Sequence, residues 1–105
     1  MPRSRQYSPN MRLKWTKRAS KNLDDILAAI AADNSPAAQR LAIEWIQQVS
    51  QLVEFQLIGR VGALAGTREL VLHENTIAYY RVKASPKTVE IVRVLHSKRQ
   101  FPGAR

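Results

Sequence analysis

Residues 67–95, TRELVLHENTIAYYRVKASPKTVEIVRVL, decide the fold. Two short polar breaks, His73-Glu74-Asn75 and Ser85-Pro86-Lys87, divide the stretch into three runs dense in Val, Ile, Leu and Tyr. Runs of this length, rich in β-branched and aromatic residues, read as strands, and breaks this short force consecutive strands to pair antiparallel. The prediction is a meander of Thr67–Leu72, Thr76–Ala84 and Thr88–Leu95. The last two strands carry little charge, as expected of strands covered on at least one face.

Upstream of the meander, residues 56–66 (QLIGRVGALAG) place Gly59, Gly62 and Gly66 around Arg60. Glycine opens the backbone to positive φ, so this stretch is expected to form a loop that presents Arg60. Before it come two apolar patterns of helical period. Ala19, Leu23, Ile26, Leu27 and Ile30 recur at spacings of three and four behind Thr16, a residue suited to capping a helix start, and this first helix should reach Asp33. Asp33-Asn34-Ser35-Pro36 then reads as a stop and a restart, with Ser35 as the cap and Pro36 at the first helical position. Ala38, Leu41, Ala42, Trp45, Ile46, Val49, Leu52 and Val53 continue as a seam to about Phe55. Ahead of both helices, Arg12–Thr16 alternates Leu13 and Trp15 against Lys14, the pattern of a short half-buried strand. The expected order is β-α-α-β-β-β. This is an α+β domain, a helical hairpin packed on one face of a mainly antiparallel four-stranded sheet. A polar basic arm (1–10) precedes the single domain (11–102), and a short tail (103–105) follows it.

Charge narrows the function. Seventeen lysines and arginines against eight acidic residues give +9 on 105 residues, a field that attracts phosphate backbones or acidic proteins. Cysteine is absent, which removes disulfides, thiolate nucleophiles and Cys-ligated zinc. No apolar run approaches a membrane span and the first ten residues lack a signal-like apolar stretch, so a cytoplasmic protein without a membrane partner is expected. There is no Walker loop, no GxGxxG after a strand, no HExxH and no Cys–His pair, and neither cofactor nor metal is expected.

The candidate polyanion-binding residues are Arg60, Arg68, Arg81, Arg93, His96, Lys98 and Arg99, with Lys83 beside them, all in the loop, the sheet or the basic tail. His96, at a strand end among these cations, is a candidate acid or base for phosphodiester cleavage, although a structural histidine is the plainer reading. A second group is needed. Glu90 shares strand parity with His96 but lies roughly 20 Å away along the strand. Glu69 more simply makes an ion pair with Arg68 or Arg81 across the sheet. Tyr79 beside Arg81 can stack a base, yet at least one of Tyr79 and Tyr80 belongs to the core. Trp15 and Trp45 read as core anchors, and His73 as a solvated turn residue.

In order and spacing, WTKRASKNLDDILAAIAADNSPAAQRLAIEWI (15–46), IGRVGALAGTRELVL (58–72), IAYYRV (77–82) and VEIVRVLHSKRQFP (89–102) resemble the successive blocks of ParE/RelE-superfamily toxins. The resemblance implies the toxic half of a bacterial type II toxin–antitoxin pair, neutralised by a cognate antitoxin. ParE-like members poison DNA gyrase without being enzymes; RelE-like members cut messenger RNA on the ribosome. A nuclease of that kind would draw here on His96, Arg81 and Arg99. His96 is followed by Ser97, and the tail offers Phe101 but no tyrosine, which favours the ParE-like branch. A member that binds its antitoxin without toxicity is the third reading.

Overall fold

The structure is a computed structural model that describes residues 11–73 and 75–96. The N-terminal arm, Glu74, Lys98, Arg99 and Phe101 therefore lie outside the described residues. The elements run β1 (Arg12–Trp15), α1 (Lys17–Asp33), α2 (Ser35–Ser50), a single 3-10 turn (Gln51–Val53), β2 (Arg60–Val61), β3 (Arg68–His73), β4 (Thr76–Ala84) and β5 (Lys87–His96). They form one sheet of five strands in the order β1-β5-β4-β3-β2, in which β1 runs parallel to β5 and every other pair is antiparallel. The α+β architecture and the meander are as the sequence predicts. The fifth strand is not: Arg60 and Val61, expected in a loop, pair with Glu69 and Arg68.

Local chemistry fixes the helix ends. The Thr16 hydroxyl accepts the Ala19 N–H at 3.0 Å and so satisfies an otherwise unpaired donor in the first turn of α1. Asn34 serves both helices: its N–H closes α1 on the Ile30 carbonyl at 2.8 Å, and its side-chain oxygen caps α2 by accepting the Ala37 N–H at 3.0 Å. The cap of α2 is thus Asn34 rather than Ser35, because an amide oxygen one residue earlier reaches the same row of donors. The α-helix stops at Ser50 instead of continuing to Phe55, and the chain tightens through the 3-10 turn.

Both helices cover one face of the sheet. Ala19, Leu23 and Ile26 of α1 and Trp45 and Val49 of α2 pack with Leu52, Leu72, Ala78, Tyr80, Val89, Ile91 and Val94 in one core. Burying an aliphatic side chain of this size contributes on the order of 2 kcal/mol. Trp45 is a core anchor as expected, while Trp15 is only partly buried against the cluster. Ile46, placed by periodicity in the seam, is instead exposed beside Ile43.

Two features of the sheet set the positions of its charged residues. Tyr79 pairs with Arg93 and Tyr80 with Ile91, so Val92 is an extra residue bulged out of β5. The start of α1 docks on that bulge: the Thr16 hydroxyl donates to the Val92 carbonyl at 3.2 Å, the Thr16 N–H to the Ile91 carbonyl at 3.0 Å, and the Asn22 side chain accepts the Val94 N–H at 3.1 Å. The second feature is the loop before β2, which is tied to the core through Tyr80. Its hydroxyl donates to the Gln56 carbonyl at 2.6 Å and accepts the Gly59 N–H at 2.9 Å. Among the described residues no helix is long and apolar enough to cross a membrane.

Candidate functional site

Strand alternation assigns the charged residues to faces. Tyr80, Ala78, Ile91, Val89, Leu13 and Trp15 point toward the helices. Their neighbours in register therefore share the opposite, helix-free face: Arg12 and Lys14 of β1, Arg60 of β2, Glu69 of β3, Tyr79, Arg81 and Lys83 of β4, and Thr88, Glu90 and Arg93 of β5. Six cations and two carboxylates thus lie on one surface. The sequence singled out Arg60, Arg81, Lys83 and Arg93 but passed over Arg12 and Lys14, whose outward placement was already implied by Leu13 and Trp15 facing the core.

The two carboxylates are embedded among the cations rather than free. Glu90 is reached by Arg81 Nε at 3.2 Å and Lys83 Nζ at 3.8 Å. Glu69 accepts from Arg60 Nε at 3.0 Å and from the Ala63 N–H at 2.9 Å. Its expected partner was Arg68 or Arg81. The short strand β2 brings Arg60 directly opposite instead, and Arg68, on the other face, donates to the Gly59 carbonyl at 2.7 Å. The Ala63 N–H is the leading cause that holds the Glu69 carboxyl below its usual 4.5, opposed by burial and helped by Arg60. Glu69 is thereby fixed as an acceptor at neutral pH and is a poor proton-transfer group there.

Tyr79 stands in the middle of this face, opposite Arg93, and is almost completely buried. Burial, and next the Glu69 charge, raise its hydroxyl above 10.0. Both tyrosines of the pair are thus buried, on opposite faces of the sheet.

The loop after β2 folds over one end of the cationic face. The Gly62 N–H meets the Thr67 carbonyl at 2.9 Å, and the Thr67 N–H meets the Leu64 carbonyl at 3.1 Å. Of the three glycines, only Gly66 takes a positive φ, 75°. Between this loop and the start of α1 runs a groove of about 440 Å³ lined by Thr16, Arg18, Leu64, Ala65, Thr67, Arg81, Val92 and Arg93. Arg18 was not foreseen; it is brought here only because the β5 bulge seats the start of α1 beside Arg93.

His96 lies elsewhere. It pairs with Thr76 at the far end of β5, and its Nδ1 is 2.9 Å from the Thr76 hydroxyl. Its parity with Val94 turns it toward the helix-covered face, and the five residues from Thr76 to Arg81 span roughly 17 Å. His96 and Arg81 are therefore not brought together. Lys98 and Arg99 lie outside the described residues, and His73 is exposed at the end of β3, as expected of a solvated residue. Among the described residues no cluster of potential metal ligands occurs.

The profile of the ParE toxin of the type II toxin–antitoxin system parDE matches residues 13–101. The chain belongs to the ParE toxin family. This ParE toxin is also 39% identical over 92 residues to Y4kP of Sinorhizobium fredii, a protein assigned as a toxin, across 87% of this chain and 93% of that protein. Among solved structures it is similar to the chromosomal ParDE toxin–antitoxin system of Pseudomonas aeruginosa, with a TM-score of 0.73, 32% identity, and coverage of 85% of this chain and 98% of that one. The RelBE2 toxin–antitoxin complex of Mycobacterium tuberculosis shares the fold, with a TM-score of 0.54 at 24% identity over 81% of this chain and 95% of that one. The resemblance read from the four sequence blocks and the α+β architecture it implied are both met.

Proposed function

We propose that this ParE toxin is held inactive by a cognate antitoxin and acts by binding and inhibiting DNA gyrase, without catalysing a reaction of its own. The observation that carries this reading is the separation of His96 from the cations of the helix-free face. Cleavage of a phosphodiester through its 2′-hydroxyl needs a base and an acid on either side of one phosphate. Here His96 is roughly 17 Å from Arg81 and turned to the other face. Glu69 and Glu90 are each engaged by arginine. The helix-free face is built as a charged binding surface, and the ParE profile match over residues 13–101, with greater likeness to ParDE than to RelBE2, supports the same conclusion.

A different surface suits the antitoxin. Ile43 and Ile46 on α2, and Phe55, Leu57, Ile58 and Val61 beyond it, are exposed apolar side chains. An amphipathic segment laid along them would bury this area, and an acidic one would be steered by the net charge of +9. In this arrangement the antitoxin covers the helical side while the charged face engages the target.

Growth assays test the reading. Expression of the chain alone should arrest growth, co-expression of the antitoxin should restore it, and His96→Ala should remain toxic. A folded His96→Ala protein that has lost toxicity, together with message cleavage by the wild type, would reverse the assignment in favour of the nuclease.

A further inference from the structure

Of the cations on the helix-free face, Arg60, Arg81 and Lys83 are already committed to Glu69 and Glu90. Arg93 on that face and Arg18 at the start of α1 differ. Neither has a carboxylate partner among the described residues, and both line the groove between the Gly62–Thr67 loop and the start of α1. Among the described residues Arg93 Nε is buried without a hydrogen-bond acceptor. A buried guanidinium N–H without an acceptor calls for an explanation, and because Arg93 is only partly buried and lines the groove, the rest of its planar fork matches a carboxylate with two parallel hydrogen bonds.

The surroundings select among anions. Glu69 and Glu90 are embedded in the same face, each nearly buried, so a run of consecutive phosphates crossing it would meet fixed negative charge. Beside its arginines the groove is lined by Leu64, Ala65 and Val92, which offer contact to aliphatic neighbours of the anion. At about 440 Å³ the groove has room for a few side chains. Thr16 caps α1 at its mouth, and the positive end of the helix dipole adds to the attraction.

We propose that this groove grips a single carboxylate, flanked by apolar side chains, on an acidic segment of the toxin's protein target, with Arg93 and Arg18 as its two anion contacts. The assignment of that segment to the target rests on the gyrase reading; the carboxylate chemistry does not.

Two measurements on the full chain separate these claims. In the first, the arginine Nε–H resonances of 15N-labelled protein are followed while N-acetyl-Leu-Glu-Leu-amide, its Gln analogue or inorganic phosphate is added. The Arg93 resonance should shift saturably with the Glu peptide, at least tenfold tighter than with the other two. Equal response to the Gln peptide, or tighter binding of phosphate, would overturn the carboxylate assignment. In the second, the Arg18→Gln/Arg93→Gln protein should need at least tenfold more toxin for half-inhibition of gyrase, with unchanged antitoxin affinity and melting temperature, while Lys21→Gln, an exposed α1 residue paired with Asp25 away from the groove, stays within twofold of wild type. Arg93→Lys, which keeps the charge without the fork, should lose most of the same activity and guards against a folding defect in the double variant. Inhibition by the double variant within twofold of wild type would overturn the groove as the target contact. A wild-type chain that leaves gyrase untouched yet binds the Glu peptide through Arg93 would remove gyrase as the target and leave the groove standing.

Discussion

The Tyr80 hydroxyl takes the backbone N–H of Gly59 at 2.9 Å, across 21 residues of sequence, and hands its own proton to the Gln56 carbonyl at 2.6 Å. One phenol thus holds the segment that leads into β2, and β2 in turn sets Arg60 against Glu69. The helix-free face depends on a hydrogen bond made on the other side of the sheet.

Tyr80→Phe removes that hydrogen bond and leaves a buried N–H without its acceptor. The expected loss is about 2 kcal/mol, measured by urea denaturation. Burial is the main cause that raises the Tyr80 hydroxyl above 10.0. A group with a raised folded-state value stabilises below its unfolded value and loses that contribution as pH rises. Wild type should therefore weaken above about pH 10 more steeply than Tyr80→Phe.

Gly59→Ala places a methyl group 2.6 Å from the Tyr80 hydroxyl oxygen, 2.7 Å from its ring and 2.8 Å from the Glu69 carbonyl oxygen. Two of these neighbours belong to a fully buried side chain and the third is backbone, so none can yield cheaply. We expect a loss of about 2 kcal/mol or more. The Arg60–Glu69 pair should loosen with it, read as faster amide exchange at Ala63.

Glu69→Gln tests acid sensitivity. Because the folded protein holds this carboxyl below 4.5, its contribution is complete above that value and is lost as pH falls through the lower folded-state value. Wild type should lose stability below about pH 4.5 more steeply than Glu69→Gln, whereas at pH 7 the variant should be weaker by about 1–2 kcal/mol. Parallel melting curves for the two proteins across this range would contradict the pairing.

Trp45 is fully buried between α2 and the sheet. Trp45→Ala should cost about 3–5 kcal/mol, a large part of the stability of a domain of this size, and a lowered melting temperature by circular dichroism checks it.

The elements of the fold were legible because each carries its own period. Leu13 and Trp15 alternate, Leu23, Ile26 and Ile30 recur helically, and the two turns of the meander are polar. β2 was not legible, since two exposed residues flanked by glycines have no period to read; the pairing is made by Glu69 from outside the segment. Ile46 was misplaced because helical spacing puts it on the edge of the apolar stripe, where only the partner surface decides burial. Most of the charged face was visible as a list of arginines. What the sequence did not contain was their division: Arg68 turned to the Gly59 carbonyl, His96 to Thr76, and Arg18 to Arg93 through a one-residue bulge at Val92.

We propose that this ParE toxin disables gyrase rather than cutting message. The most direct measurement adds the purified chain to gyrase with ATP and relaxed plasmid, and in parallel to a translating extract with primer extension on the message. We expect that supercoiling falls, or that cleaved plasmid accumulates, as toxin is added, that antitoxin reverses the effect, and that the message stays intact. Cuts in the message at the ribosomal A site with supercoiling unimpaired would contradict it.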